Sequence, residues 1–189
     1  MPFQKVINDD MAWGIPGEIG LADLGGVRAE PFQLATTFNG AADEPTVYGR
    51  AVTRVDNPFA GDVTAPGHYQ TGTIGGDGTY IGLLHAPKSD VAFAYIGSDA
   101  PGLEAGVMLE AISQTAGIWV LLTTAANVGD AIAYAEDGQL AAAPAQVAPA
   151  QVAPASHTLI PGSRVVRFDV NKGMALVALQ QLPTPAASA

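Results

Sequence analysis

Cysteine is absent from all 189 residues of this chain. Its absence excludes disulfide bonds, thiolate nucleophiles, iron–sulfur clusters and zinc sites of the cysteine type. The fold must therefore be stabilised by packing and association alone. A chain of this length buries about 70% of the surface that its unfolded form exposes, which is enough for a core without covalent cross-links.

Charge is scarce as well, and basic charge most of all. Only 14% of residues are charged, with 8 Lys and Arg against 18 Asp and Glu, for a net charge of −10. The basic residues are scattered, whereas a nucleic-acid-binding domain usually shows a basic patch, so we expect no nucleic-acid partner. The acidic excess fits either a solvated face or complementarity to a basic partner surface, and the sequence leaves both open.

Long hydrophobic runs are also missing. The longest apolar stretch, residues 118–122, is far too short to cross a bilayer as a helix. Residues 1–5 begin no apolar segment of the kind found in secretory signal peptides. We therefore expect synthesis in the cytoplasm and no membrane partner.

What the chain does contain is a series of short β-branched and apolar runs separated by turn signals, with 22 Gly and 14 Pro distributed among them. Asp77-Gly78 and Asp137-Gly138 are typical hairpin turns, and Gly173 takes the positive-φ position of a third connection. No window shows a capped amphipathic helix. The pattern predicts an all-β fold, a single jelly-roll-like β-sandwich or barrel. The predicted strands cover residues 46–54, 79–85, 91–96, 106–112, 118–124, 130–135, 164–170 and 174–179.

The composition divides the chain into three parts. Residues 1–45 are irregular and contain an early Pro16-Gly17 turn, which predicts an extended N-terminal arm with short strands. Residues 46–182 form the β domain, and residues 183–189 form a flexible Pro/Ala/Ser tail.

A repeat interrupts the β domain. The sequence Ala-Pro-Ala-Gln-Val occurs at residues 143–147 and again at 148–152. A proline at every fifth position is incompatible with a helix or a central strand, so residues 141–157 are predicted to form an inserted Pro/Ala-rich loop. The loop is either a solvent-exposed extended segment or a contact between subunits.

Signals of catalysis are weak. His68, His85 and His157 lie far apart and form neither an HxH nor an HExxH spacing, and no Gly-x-Ser-x-Gly motif is present. The glycine cluster at residues 72–78 precedes a strand, whereas a phosphate-binding loop precedes a helix. The Asx residues at 56–62 are typical of turns rather than of a calcium site. We predict no catalytic, cofactor-binding or metal-binding residues.

The order of parts resembles a known family. It begins with a Met1-Pro2-Phe3-Gln4 start and a Gly14-Ile15-Pro16-Gly17-Glu18 turn. A segment rich in Ala, Gly and Asp then leads to Tyr48-Gly49-Arg50-Ala51-Val52, and an apolar hairpin closes the chain. This pattern resembles the structural cement, or capsid decoration, proteins of tailed bacteriophages. The Pro/Ala repeat departs from it and has the form of a local insertion.

The resemblance implies a non-enzymatic virion protein that binds the outer surface of an icosahedral capsid and stabilises contacts between capsid subunits. Its partner would be the major capsid protein, and the protein would act as a homo-dimer or homo-trimer without a cofactor. Two alternatives stay open. One is a different virion surface module, such as a head fibre base or a carbohydrate-binding β-sandwich, and the other is an all-β enzyme.

Candidate contact residues come from the N-terminal segment. Apolar and aromatic side chains with little core around them are typical interface anchors. By this criterion the candidates are Phe3, Trp13, Ile15, Pro16 and Phe32. The alternative is that Trp13 and Phe32 pack onto the domain of their own chain.

Overall fold

The computed structural model describes residues 14–21, 26–38, 47–55, 70–86, 103–143 and 156–180. These residues form strands and turns, with no helix among them, which confirms the all-β prediction. No helix in these ranges could cross a membrane. The strands are β1 Ile19–Leu21, β2 Arg28–Leu34, β3 Ala51–Arg54, β4 Thr71–Ile74, β5 Thr79–Leu84, β6 Met108–Leu121, β7 Ala131–Tyr134, β8 Leu140–Ala143, β9 Thr158–Leu159, β10 Ser163–Asp169 and β11 Met174–Leu179.

Five strands close into a barrel, so of the two predicted architectures the chain adopts the barrel. Its order is β6, β2, β4, β3 and β5, and the pairing of β5 with β6 completes the ring. The β2–β4 pair is parallel, and the other four pairs are antiparallel. The closing pair joins β5 to β6 at Leu83–Ile112 and Leu84–Ala111, which protects this part of both strands from edge-to-edge aggregation.

Strand β6 is the longest element and connects the barrel to the rest of the fold. Its first half pairs with β2 and β5, and its second half pairs with β1 and β11. The sequence predicted two separate strands here, at residues 106–112 and 118–124. They are one strand because different neighbours supply backbone partners to both halves and to Gln114, Thr115 and Gly117 between them.

A hairpin, β10–β11, extends the sheet beyond β6, and β8, β7 and β9 form a second sheet of three strands. The β7–β8 hairpin turns at the predicted Asp137-Gly138 pair, where Gly138 has φ +80°. The β10–β11 hairpin uses Gly173 at φ +64°. Both hairpin predictions are confirmed by the antiparallel pairing of the flanking strands. Glycine occupies these turn positions because they need a residue that tolerates positive φ.

The third predicted hairpin, at Asp77-Gly78, is wrong. The connection leads from β4 to β5, but these strands do not pair, because β3 lies between them. The chain crosses over β3 so closely that a side chain at Gly78 would overlap the Arg54 carbonyl oxygen. The glycines therefore permit a close crossing of backbones.

The core has two main parts, on opposite sides of one wall of the barrel. The barrel interior holds residues from all five of its strands: Phe32, Leu34, Val52, Ile74, Leu84 and Ala111. The outer core packs that wall against β7, β8, β10 and β11, through residues such as Leu83, Ile112, Ile132, Leu140 and Val177. Consecutive residues such as Leu83 and Leu84 belong to different cores because strand side chains alternate between faces.

Both described parts of the predicted N-terminal arm pair with the β domain. β1 pairs with β6, and β2 pairs with both β6 and β4. Residues 141–143, the start of the predicted Pro/Ala-rich loop, belong to β8. Most of that loop, the predicted strand at 91–96 and the tail at 183–189 lie outside the described residues.

Candidate functional site

The best-defined feature of the predicted contact segment is the opening turn, residues 15–18. The Glu18 N–H donates to the Ile15 carbonyl oxygen at 2.9 Å, and Gly17 has φ +83°. Proline second and a positive-φ glycine third are the signature of a type II turn. The Glu18 carboxylate also accepts a hydrogen bond from the Ile15 N–H at 3.3 Å.

This turn is bound to two strands of its own domain. The Gly17 N–H donates to the Trp119 carbonyl oxygen of β6 at 2.7 Å, and the Trp119 backbone N–H donates to the Glu18 carbonyl oxygen at 2.9 Å. The Gly17 carbonyl oxygen accepts from the N–H of Ala86, just after β5, at 3.0 Å. The opening turn therefore lies on the barrel wall near the end of β5, and β1 continues from it along β6.

Glycines make this close approach possible. A methyl group at Gly14 would overlap the indole of Trp119, and one at Gly20 would lie 2.6 Å from the indole nitrogen. A methyl group at Gly17 would lie 2.8 Å from the Tyr48 Cβ atom. Trp119 is consequently only 7% exposed, and residues 14–20 provide part of its cover.

The five predicted contact residues differ in burial, and two of them lie outside the described residues. Phe3 and Trp13 lie outside the described residues. Ile15 and Pro16 are half-buried in the opening turn. Phe32 is 0% exposed in the barrel interior, which agrees with the alternative that it packs on its own domain. A side chain without exposed surface cannot anchor a partner unless the barrel opens.

The two most exposed large apolar residues of the described ranges were not singled out by the sequence analysis. Val128 and Val170 are each 73% exposed, in the loop before β7 and in the β10–β11 turn. A valine beside Asn, Gly or Asp resembles the end of a strand in sequence, so nothing local marked either residue as exposed.

Titratable side chains of the described ranges make both ionic and non-ionic contacts. The His85 Nδ1 atom lies 3.3 Å from a Glu110 carboxylate oxygen at the barrel surface. The guanidinium of Arg50, 7% exposed, lies 5.2 Å from the centre of the Phe38 ring and donates to the Asp137 carbonyl oxygen at 3.2 Å. Within these ranges, no three His, Asp or Glu side chains converge as metal ligands would.

Comparison with protein families gives a match over nearly the whole chain. The family model described as structural cement protein (E217 gp24/Pam3 gp6) matches residues 3–180. The matched range includes the eleven strands found in the described part of the chain. A search of curated proteins found no match.

Proposed function

Because the chain belongs to the phage structural cement protein family, we propose that it binds the outer surface of an icosahedral capsid and stabilises the contacts between capsid subunits. A phage virion structural protein is the general role of this family. The family match is the single observation that carries the proposal. The role is mechanical and needs no catalytic residue.

The opening turn indicates where the attachment segment begins. Its backbone hydrogen bonds to Trp119 and Ala86 hold residues 15–18 against the barrel, directly after the segment 1–13 in the sequence. We propose that Phe3 and Trp13 in that segment contact the major capsid protein. Ile15 and Pro16, half-buried at its base, border the same contact. Phe32 is left out because it belongs to the core.

The physical benefit of such a clamp comes from many copies acting together. A shell filled with DNA is under outward pressure, and a protein bound across the junctions of subunits adds contact area where the shell would separate. A homo-dimer or homo-trimer would engage several capsid subunits at once, so modest contacts of each copy would combine into strong attachment. We place the protein on the outer virion surface after its synthesis in the host cytoplasm.

Co-sedimentation with expanded, DNA-free phage shells tests the proposal. The full-length chain is expected to pellet with shells, and a chain lacking residues 1–13 is expected to stay in the supernatant. The truncation must end at residue 13, because removing residues 14–20 would also detach β1 from β6 and expose Trp119.

The matched control removes residues 183–189 from the other end of the chain and is expected to leave binding unchanged. Circular dichroism and a thermal melt verify that each truncated chain is folded. Absence of binding by the full-length chain would refute the capsid role. Equal binding after loss of residues 1–13 would refute only the part assigned to the N-terminal segment.

A further inference from the structure

The two most exposed large apolar side chains of the described ranges lie beside the same strand. Val128 and Val170 are each 73% exposed, whereas the next most exposed, Met108, is 45% exposed. Val170 follows directly after β10, and Val128 belongs to a turn that binds β10 at Val165. A single exposed valine is ordinary on a protein surface, but exposed apolar side chains that lie together mark interaction surfaces.

The turn that carries Val128 has a fixed geometry. The Asp130 N–H donates to the Asn127 carbonyl oxygen at 3.1 Å, and the Asn127 N–H donates to the Asp130 carboxylate at 2.7 Å. The turn is bound to β10, because the Gly129 N–H donates to the Val165 carbonyl oxygen at 2.8 Å. Val128 is therefore held at the side of this strand.

The turn that carries Val170 is also held in place. The Asn171 N–H donates to the Asp169 carboxylate at 2.9 Å, and the Leu122 N–H donates to the Gly173 carbonyl oxygen at 2.8 Å. Both valines thus lie in ordered turns. A contact through them needs little further ordering of the chain, which lowers the entropic cost of association.

Basic side chains lie on the same strand and turn. Arg164 and Arg167 are exposed on β10, and Lys172 is exposed in the β10–β11 turn. Arg164 pairs with Ala178 and Arg167 pairs with Leu176, so both arginines lie on one face of the sheet. We define the β10 rim as these three basic residues and the two valines, namely Val128, Arg164, Arg167, Val170 and Lys172.

The charge of the β10 rim is opposite to that of the whole chain. Residues 164–172 contain three of the eight Lys and Arg residues and one acidic residue, Asp169, for a net charge of +2. Since the whole chain carries −10, the remainder carries −12. The acidic residue of the adjoining turn, Asp130, is only 5% exposed. The rim therefore favours a partner with an acidic surface.

Protection of a strand edge explains only part of the β10 rim. Among the described strands, β11 alone pairs with β10, and the register shifts between Val165 and Arg167. Charged side chains and such shifts are usual means by which an edge strand avoids the addition of another strand. Exposed valines do not serve that purpose. The rim thus fits a partner that docks on its side chains rather than on its backbone.

A second copy of this chain has the acidic surface that the β10 rim favours, because its charge outside the rim is −12. Two rims facing each other would bring like charges together. The rim of one copy must therefore meet a different, acidic surface of the next copy. Contacts between unlike surfaces can close into rings of subunits.

We propose that the β10 rim docks on an acidic surface of a second copy of this chain. Val128 and Val170 are its apolar anchors, and the three basic side chains make its charged contacts. This inference rests on the homo-oligomer of the proposed function and names the surface that forms it.

Sedimentation velocity of the full-length chain over a range of concentrations tests the proposal. The chain is expected to self-associate, and the association is expected to weaken as the salt concentration rises, because salt screens charged contacts. Val170→Ser and Arg167→Glu are each expected to weaken self-association about tenfold or more. Both side chains are exposed, so the melting temperature should stay close to that of the unmodified chain.

Val107→Ser and Arg54→Glu are the matched controls. Val107 is 41% exposed just before β6, and Arg54 is exposed at the end of β3. These variants make the same two changes outside the β10 rim, and Arg54→Glu adds the same negative charge to the chain. Both are expected to leave self-association unchanged.

Three results would overturn the proposal: an unmodified chain that stays monomeric, rim variants that self-associate at full strength, or equal weakening by the controls. Rim variants that self-associate normally but no longer pellet with shells would assign the rim to the capsid instead. A monomeric chain that still pellets with shells would refute this proposal alone. An oligomer that depends on the rim but does not pellet with shells would support this proposal and refute the capsid role.

Discussion

Replacing Gly17 with alanine tests whether the opening turn is bound to the barrel in solution. The added methyl group would lie 2.8 Å from the Tyr48 Cβ atom and 2.9 Å from both the Ala86 nitrogen and the Leu84 carbonyl oxygen. Two of these three atoms are backbone atoms of the barrel wall, which cannot move aside as the end of a flexible side chain would. Residue 17 also has φ +83°, a conformation that residues with a Cβ atom rarely adopt.

The expected cost is the sum of two effects. Holding alanine in the left-handed region costs about 1–2 kcal/mol. Forcing a methyl group into a packed site costs about 1–3 kcal/mol more. The free energy of unfolding should therefore fall by about 2–5 kcal/mol, a large part of the roughly 5–15 kcal/mol that stabilises a typical domain.

Gly26→Ala separates the two effects. Gly26 has φ +74°, but among the described residues, its chain neighbours aside, no atom lies within 4 Å of the position that its Cβ would occupy. This variant should therefore show only the conformational cost of about 1–2 kcal/mol. Urea unfolding followed by circular dichroism gives both values, and the difference between the two variants measures the packing effect.

Fluorescence of Trp119 distinguishes detachment of the turn alone from unfolding of the whole barrel. If the turn detaches while the barrel stays folded, the loss of unfolding free energy is limited, but Trp119 becomes exposed and its fluorescence shifts to longer wavelength. Refutation is clear: if Gly17→Ala loses no more stability than Gly26→Ala and the fluorescence is unchanged, the turn does not pack on Tyr48 and the end of β5 as described.

Three further predictions concern the core and the buried polar groups. Phe32→Ala should lower the free energy of unfolding by about 3–5 kcal/mol, with shell binding retained below the melting temperature; selective loss of binding would instead support a contact role. Arg50→Met should cost about 1.5–3 kcal/mol in urea unfolding through its lost bond to the Asp137 carbonyl oxygen, and an unchanged midpoint would contradict this. Burial raises the pKa of Tyr80, so the folded state holds the phenol proton more tightly than the unfolded chain does. The resulting contribution to the free energy of unfolding is complete below the ordinary tyrosine pKa of about 10 and is lost as pH rises above it. Tyr80→Phe should therefore show a smaller drop in urea midpoint between neutral and alkaline pH, and an identical drop would disprove the effect.

Local turn chemistry made part of the fold predictable. Gly138 and Gly173 have positive φ, at +80° and +64°, and each lies in the turn of a hairpin that the sequence predicted. Such turns are predictable from the local sequence, because the positive-φ position selects the residue type whatever the rest of the chain contains. The all-β class followed from the same signals, repeated between short apolar runs.

Pairing between distant strands was not predictable in the same way. Asp77-Gly78 has the residues of a hairpin turn, yet β3 lies between the strands that it connects. Residues 113–117 separated two predicted strands, yet neighbours on both sides of β6 continue one strand across them. In both places the strand pairing depends on residues that are distant in the sequence, and a local sequence pattern does not identify them.

The candidate sites show the same division. Composition and the order of parts led to an all-β virion structural protein without cysteine, because these properties can be read from the residues and their order alone. Whether Phe32 forms core or contact depended on closure of the barrel, which surrounds this side chain with residues from all five strands. The meeting of the N-terminal ends of β2, β4 and β5 at one end of the barrel likewise depends on how these strands pair with one another and with β3. Burial and convergence are properties of the packed strands, so they follow from tertiary structure rather than from residue order.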